Sequence, residues 1–217
     1  MARSRLGDKL NILCVKWGDR YTIEHVERLH RMCREHIKHD FEFYCYTDQI
    51  VDSQINQIQM PDDGLEMWWP KLRLFENNLG LEGRCLYFDL DVTIKSDVTL
   101  SLLETIEFHV ILSLWFEHQQ DVWINSSCMI WEQDENKHIW DWFWKDPEYY
   151  MLKYRGIDGF LQHEGFVHKY FRDNIFYSKR FGINKWDQPK TEPPWYECDR
   201  PIEMGNGFHG RNIHNLL

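Results

Sequence analysis

Residues 84–91, Arg-Cys-Leu-Tyr-Phe-Asp-Leu-Asp, constrain the fold of this chain more than any other stretch. Strand-forming residues lead directly into two carboxylates, Asp89 and Asp91, which a single leucine separates. The apolar run has little polar alternation, which is typical of a strand covered on both faces of a sheet. In open α/β sheets, ligands gather just beyond the carboxyl ends of such strands. We therefore expect Asp89 and Asp91 to lie where a ligand binds.

The composition predicts one folded domain over residues 1–217 and limits its partners. Apolar residues make up 43% of the chain and aromatic residues 16%, which is typical of a globular protein. The formal net charge of −10 argues against nucleic acid or an anionic membrane as partner, because both attract a basic surface. A phosphate-bearing ligand would therefore need a local cation.

No targeting or membrane segment is evident in the sequence. The longest apolar stretch, residues 108–116, is far shorter than the roughly 20 residues of a membrane helix. The N-terminus has basic residues but no apolar leader with a cleavage site. We expect no integral membrane segment and a soluble, cytoplasmic protein.

Strand-like and helix-like patterns alternate along the chain, which favours an α/β fold with a parallel-type sheet and helices on its faces. The predicted strands cover residues 10–15, 41–46, 84–88, 110–115 and 121–131, with a short strand near Ile58. The predicted helices cover residues 23–37, 70–79, 100–106, two segments on either side of Pro147, and 158–171. The proline-rich tail from Trp186 predicts no long regular element, although its aromatic residues indicate packing against the body.

The acid pair predicts a divalent metal site. Carboxylates at the end of a buried strand are costly unless they are paired or bind a metal, and Mg²⁺ and Mn²⁺ prefer oxygen ligands. The alternative is a pair of solvated turn carboxylates, since composition alone predicts about one Asp-x-Asp. Residues 204–211, Met-Gly-Asn-Gly-Phe-His-Gly-Arg, favour the metal. Glycines there surround His209, a possible third ligand, and Arg211 would contact a phosphate.

These motifs resemble the metal-dependent glycosyltransferases of the GT-A fold, and in particular the retaining group similar to glycogenin and the lipopolysaccharide galactosyltransferases. The resemblance rests on Tyr-Phe-Asp-Leu-Asp and Phe-His-Gly, supported by Lys71, the Asn125-Ser126 step and the segment led by Asp158. It implies a GT-A (Rossmann-like) mixed, mostly parallel central sheet flanked by helices.

The resemblance also implies roles for particular residues. Asp89, Asp91 and His209 would hold Mn²⁺ or Mg²⁺ on a nucleotide diphosphate, with Asp89, Asp91 and Asp158 as catalytic residues and with Asn125, Gly210 and Arg211 at the donor. The sequence departs from the family where Ser127 replaces a glycine, where Gly159 replaces a glutamine after Asp158, and where Arg211 replaces a lysine.

The loop after the first strand is the predicted nucleotide contact. If the fold is of this type, residues 15–21 meet the nucleotide at the carboxyl edge of the sheet. Tyr21 or Trp17 would stack on the base, Asp19 or Lys16 would reach the edge of the base or the ribose, and Val15 is a further donor-binding candidate. The alternative is an aromatic loop packed under the first helix. Lys71 would contact ribose or phosphate, or would be an ordinary surface lysine.

The acceptor side has weaker signals. The aromatic stretch over residues 131–144 is either an acceptor platform or, as its helical spacing favours, part of the core. His163 and Glu164 are candidates for acceptor contact or for a base. An inverting enzyme needs a general base near the acceptor hydroxyl, for which Asp158 or Glu164 is suited, whereas the resemblance implies retention.

The sequence thus predicts an enzyme, a hexosyl- or pentosyltransferase that moves a sugar from a UDP- or GDP-sugar to a hydroxyl of a glycan, glycoprotein or glycolipid. Two other classes stay open. A metal-dependent nucleotidyltransferase would share the acid pair but release pyrophosphate, and a non-catalytic carbohydrate-binding module would bind glycans through the tryptophans without a metal.

Overall fold

The computed structural model describes residues 9–105, 107–115, 122–188, 190 and 192–205. Its centre is a seven-stranded sheet with the order β3-β2-β1-β4-β7-β6-β8. The strands are β1 (Leu10–Lys16), β2 (Phe41–Thr47), β3 (Asn56–Gln59), β4 (Arg84–Phe88), β6 (His109–Leu112), β7 (Ile124–Glu132) and β8 (Lys169–Tyr170). Only β7 runs against the other strands of this sheet. The predicted mixed, mostly parallel α/β sheet is therefore confirmed.

The central strands are buried because each of their faces has its own apolar layer. All five residues of β4 are buried. The apolar run predicts this for residues 85–88, whereas Arg84 is buried in an ion pair with Glu132 of β7 at 3.0 Å. On one face, Ile12 and Leu86 pack with the buried stripe of helix α1 (Ile23–His36). On the other face, Leu13 and Tyr87 pack with the helices that follow β3 and β7.

Helix α1 begins at the predicted residue. Thr22 precedes it, and the Thr22 amide donates a hydrogen bond to His25 Nδ1 at 3.2 Å. The remaining helices are α2 (Thr99–Leu103), α3 (Gln133–Phe143), α4 (Pro147–Lys153) and α5 (Ile157–His163). None of the helices in the described ranges is long and apolar enough to cross a bilayer.

Two predicted helices differ from the structure. Residues 70–79 form two 3-10 helices, Trp69–Phe75 and Asn77–Leu79, separated by an extended Glu76. Six of the seven residues in the first are buried, so it lacks the polar face of a surface α-helix. The helix predicted over 158–171 ends at His163, because Gly165 follows with a φ of +78°, a conformation that ends helices, and the chain then enters β8.

A second sheet, which the sequence did not predict, joins the tail to the body. It has the order β5-β10-β9, where β5 is Thr93–Ile94, β9 is Phe176–Ser178 and β10 is Ile202–Met204. Strand β10 pairs antiparallel with β5, and β5 follows almost directly after the Asp-Leu-Asp segment in the chain. The tail therefore returns to the acid pair, and the expected packing of the tail is confirmed. One domain over residues 1–217 stays a prediction.

Candidate functional site

The acid pair lies at the carboxyl edge of the central sheet, immediately after β4. The Asp89 amide still donates to the Ser127 carbonyl of β7 at 2.9 Å, which continues the strand pairing by one residue. The Val92 amide then donates to the Asp89 carbonyl at 3.2 Å and closes a turn around Asp91. Both acids are only partly exposed, so the strand and this turn hold them at the edge.

Asp89 forms an ion pair with the buried Lys71. The Lys71 ammonium lies 2.8 Å from Asp89 Oδ1 and 4.8 Å from the centre of the Tyr87 ring, and the Tyr87 hydroxyl donates to the same carboxylate oxygen. Burial raises the pKa of Asp89, but the charge and hydrogen bond of Lys71, with hydrogen bonds from Ser127 and Tyr87, lower it further, so the net pKa is below its usual value. Asp89 is therefore held as a carboxylate.

Lys71 and Asp158 both contact the polar step of β7. The Lys71 ammonium donates to the carbonyl and hydroxyl of Ser126 at 3.4 and 3.3 Å. Asp158, at the start of α5, accepts a 3.0 Å hydrogen bond from the Ser126 amide. Asn125 accepts from the Ser127 amide at 3.0 Å. The structure thus brings four predicted site residues together at this edge, Asp89, Lys71, Asn125 and Asp158.

Asp91 lies on the other side of the turn, against the C-terminal tail. A Cβ atom added to Gly205 would lie 2.5 Å from the Asp91 carbonyl oxygen and 2.8 Å from its carboxylate carbon, so only glycine fits there. Arg28 of α1 donates to the Leu90 and Val92 carbonyls at 3.0 and 3.2 Å and so fixes the turn. Burial, followed by the charge of Asp91, raises the pKa of Tyr21 to about 12. The predicted Tyr21 therefore lies close to the acid pair.

The rest of the loop after β1 is fixed by internal contacts. Lys16 is buried and donates to the Gly18 carbonyl at 3.2 Å, and the Gly18 amide donates to Asp48 Oδ2 at 2.9 Å. Val15 and Trp17 are partly buried and pack against the core on the side of the 3-10 helices. The ammonium of Lys16 is therefore used within the loop, and Tyr21 packs on the opposite core, under α1.

The candidate acceptor residues lie at the far end of α5 from Asp158. Glu164 accepts hydrogen bonds from Tyr154 Oη at 2.6 Å, from Lys153 Nζ at 2.9 Å and from Trp142 Nε1 at 3.1 Å. Burial raises the pKa of Glu164, but these donors lower it below its usual value. His163 stacks on Tyr154 with 5.9 Å between ring centres. Glu164 therefore lies in a local network, away from the acid pair.

The aromatic stretch over residues 131–144 was predicted to be either an acceptor platform or part of the core, and its residues differ in burial. Trp131 and Trp140 are buried in the core, as the helical spacing favours. Trp142 and Trp144 are each 42% exposed and are not part of the core.

Three predicted site residues, His209, Gly210 and Arg211, lie outside the described residues. Within the described ranges, no group of three His, Cys, Asp or Glu side chains is arranged to hold a metal ion. The assignment of Asp89, Asp91 and His209 as metal ligands therefore stays a prediction.

Sequence reasoning missed Tyr87 and Arg28. Tyr87 had a signal, because it lies two residues before Asp89 on the same face of β4. Arg28 had none, because its contacts depend on how α1 packs against a turn more than sixty residues away.

The sheet order, the acid pair at its edge and the returning tail define a GT-A glycosyltransferase fold. Solved structures of galactosyltransferase LgtC share it: an active-site mutant has a TM-score of 0.67 at 13% identity, over 91% of this chain and 87% of that one. A complex of LgtC with donor and acceptor sugar analogues has a TM-score of 0.62 at 12% identity, with the same coverage of both chains. The chain therefore has a GT-A fold related to that of LgtC.

A second similar protein is glycosyltransferase GlyE of Streptococcus pneumoniae, whose apo form has a TM-score of 0.59 at 14% identity. The match covers 90% of this chain but 54% of GlyE. No protein-family model matches the sequence, and a comparison with curated proteins gives no match. At these identities the likeness shows the fold alone.

Proposed function

We propose that this protein is a glycosyltransferase that moves a hexose or pentose from a UDP- or GDP-sugar to a hydroxyl acceptor, with Mn²⁺ or Mg²⁺ as cofactor. Two observations support the proposal. The fold is shared with glycosyltransferases, and the acid pair lies at the sheet edge where open α/β folds bind ligands.

The contact between Gly205 and Asp91 carries the proposal. It brings the tail onto the acid pair, although more than a hundred residues separate them. His209 follows Gly205 by four residues, and four extended residues span at most about 14 Å. This chain length allows His209 to reach Asp91, which supports its proposed role as third ligand, and an alanine at position 205 would push the tail away from Asp91.

The acid pair fits a divalent ion bound together with a diphosphate. Mg²⁺ is usually held by one or two carboxylates, with substrate phosphates among its other ligands, which suits two partly exposed aspartates. Asp89, Asp91 and His209 would hold the ion. When bound, it would act as a Lewis acid that stabilises the negative charge of the leaving diphosphate.

The other residues have roles in binding and orientation. Lys71 keeps Asp89 ionised and fixed, which makes it a positioning residue for Asp89 rather than a free phosphate contact. Arg211 and Gly210 would bind the diphosphate and Asn125 the donor sugar. Tyr21 is the better candidate for the base, because it lies near Asp91.

Asp158 is the candidate for the transfer step itself. Its contact with Ser126 holds it beside Lys71 and Asn125, next to the proposed donor. In a retaining reaction it would stabilise the positive charge that develops at the sugar; in an inverting reaction it would accept the proton of the acceptor hydroxyl. The resemblance favours retention. NMR analysis of the product anomer distinguishes the two.

A thermal-shift screen of nucleotide sugars, with and without Mn²⁺, tests the proposal. A donor that binds only the folded protein raises the unfolding midpoint by mass action. We expect at least one donor to do so only with the metal, and Asp91→Ala and His209→Ala to abolish that shift in folded protein. Release of pyrophosphate instead of a nucleoside diphosphate would show a nucleotidyltransferase. No metal-dependent shift with any donor would contradict the proposal.

A further inference from the structure

Two half-exposed tryptophans flank the C-terminal end of α5. Trp123 is 46% exposed and Trp142 is 42% exposed. The Trp123 amide donates to Gln162 Oε1 at 2.7 Å, and the Trp142 ring nitrogen donates to Glu164 Oε2 at 3.1 Å. The two residues come from different parts of the chain and meet at the same helix end. We call Trp123, Trp142 and the polar residues between them, Gln162 and Glu164, the tryptophan surface.

The backbone of Trp123 and the ring of Trp142 are held in place before any ligand binds. The Trp123 carbonyl accepts hydrogen bonds from the amide and hydroxyl of Ser113 at 2.7 and 2.9 Å. The Trp142 ring is held through its nitrogen by Glu164, and the Lys145 ammonium lies 4.3 Å from its centre. Ligands bind more tightly to side chains that are already ordered, because less conformational entropy is lost.

The chemistry of the tryptophan surface suits a carbohydrate. Indole faces pack against the C–H faces of a pyranose, and their large apolar area makes them strong anchors. Glu164 and Gln162 offer carboxylate and amide groups, and Lys145 offers an ammonium, all of which form hydrogen bonds with hydroxyls. The net charge of −10 disfavours an anionic lipid or nucleic acid at the same surface.

The tryptophan surface is continuous with the candidate site. Helix α5 has Asp158 in its first turn and His163 as its last residue, and seven helical residues span about 10 Å. Trp123 lies immediately before β7, and Ser126 of β7, three residues later, donates its amide hydrogen bond to Asp158. Two separate elements thus connect the tryptophans to Asp158 over a distance that a short oligosaccharide covers.

We propose that the tryptophan surface binds the part of a glycan acceptor that is remote from the accepting hydroxyl. The assignment of this glycan as acceptor rests on the proposed function. Glu164 then acts as a positioning residue for Trp142, instead of as the catalytic base that the sequence alone left open.

The test is a glycan microarray in EDTA and without nucleotide sugar, followed by isothermal titration with the strongest binder. These conditions separate glycan binding from donor and metal binding. The double variant Trp123→Ala/Trp142→Ala should weaken the dissociation constant at least tenfold. Trp186→Ala is the matched control, because Trp186 is 79% exposed and lies outside the tryptophan surface, and it should bind like the wild type.

A measurement on the unmodified sequence avoids any effect of the variants on folding. With 5-fluorotryptophan incorporated, the ¹⁹F resonances of Trp123 and Trp142 should shift on titration with the same glycan, and that of Trp186 should not. An absence of glycan binding, equal affinity in the double variant, or binding to neutral phosphatidylcholine vesicles in place of glycans would overturn the proposal. Glycan binding with no metal-dependent donor binding would leave the tryptophan surface in place and refute only the transferase.

Discussion

Replacing Lys71 with methionine should strongly destabilise the protein, because it leaves the Asp89 carboxylate without its cation. Lys71 is 7% exposed and Asp89 28% exposed at the side chain, and their charged atoms are 2.8 Å apart. Removing one partner of a fully buried ion pair costs about 3–5 kcal/mol, and because Asp89 keeps partial contact with water we expect the lower end, about 3 kcal/mol. At 2–4 °C per kcal/mol for a chain of this size, the melting temperature should fall by roughly 6–12 °C.

The pH dependence of this loss identifies its cause. In the wild type the pKa of Asp89 is lower in the folded protein than in the unfolded chain, where it is about 3.9. The ionised Asp89 therefore stabilises the fold fully above about pH 3.9, and this stabilisation is lost as the pH falls through the pKa of the folded protein. In Lys71→Met, unopposed burial raises the folded pKa, so this variant gains stability, relative to the wild type, as the pH falls. The difference in unfolding free energy should be largest near pH 7 and should narrow below about pH 5.

Urea unfolding at pH 7 and pH 4 measures both effects, with Lys137→Met as the control. Lys137 is exposed on α3, and its replacement should change the stability by less than about 0.5 kcal/mol. The double variant Lys71→Met/Asp89→Asn should recover most of the loss, because both charges are then absent. A loss that is equal at both pH values and that the double variant does not reduce would refute the ion-pair argument.

Three further changes test the neighbouring contacts. Gly205→Ala should lower the unfolding free energy by about 1–3 kcal/mol, as measured with urea, and should weaken Mn²⁺ binding in titration calorimetry, because the added methyl overlaps Asp91; unchanged values would contradict the close contact. Arg28→Met should weaken Mn²⁺ binding as well as lower the melting temperature, since Arg28 holds the carbonyls on both sides of Asp91. A lower melting temperature with unchanged Mn²⁺ affinity would indicate a structural role alone. Glu164→Gln should be less stable than the wild type mainly above about pH 4.3, the pKa of an unfolded Glu, because the lowered pKa of Glu164 means that its carboxylate stabilises the fold only when ionised. The same difference in urea midpoint between variant and wild type at pH 7 and at pH 3.5 would contradict this.

The sequence predicts the elements whose pattern is local and long enough to read. β1 and β4 are recognisable as buried apolar runs, and α1 by its repeating apolar stripe over fourteen residues. The second sheet was not predictable, because its strands have two or three residues and therefore no periodicity, and because their pairing is decided by distant parts of the chain. The same limit explains the helix predicted over 158–171, where the left-handed Gly165 ends α5.

In the candidate site, too, the residues with a local sequence signal were predictable, and the contacts between distant parts of the chain were not. Asp89 and Asp91 were predictable from their place after a buried strand, and Lys71 as a nearby cation. The pairing of Lys71 with Asp89 was not, because it needs the 3-10 helix to bury its lysine beneath the sheet edge. The metal hypothesis predicted only that His209 lies beside the acid pair, and the contact of Gly205 with Asp91 was not predicted, because it depends on β10 pairing with β5.

The charges at the sheet edge explain why a nucleotide-binding role would depend on a divalent ion. Asp89, Asp91 and Asp158 bring three carboxylates to this edge. They outnumber the two cations that the described residues place there, the ammonium of Lys71, which already pairs with Asp89, and the guanidinium of Arg28, which donates to the carbonyls on both sides of Asp91. A diphosphate that entered this field alone would be repelled, in a protein whose net charge is −10. Lys71 cannot neutralise the phosphates without leaving Asp89 unpaired. A divalent ion would reverse the sign of the interaction, because the carboxylates that repel the diphosphate are the ligands that attract the metal. If the protein binds a nucleotide as proposed, these carboxylates would thus favour its metal-bound form over its free form.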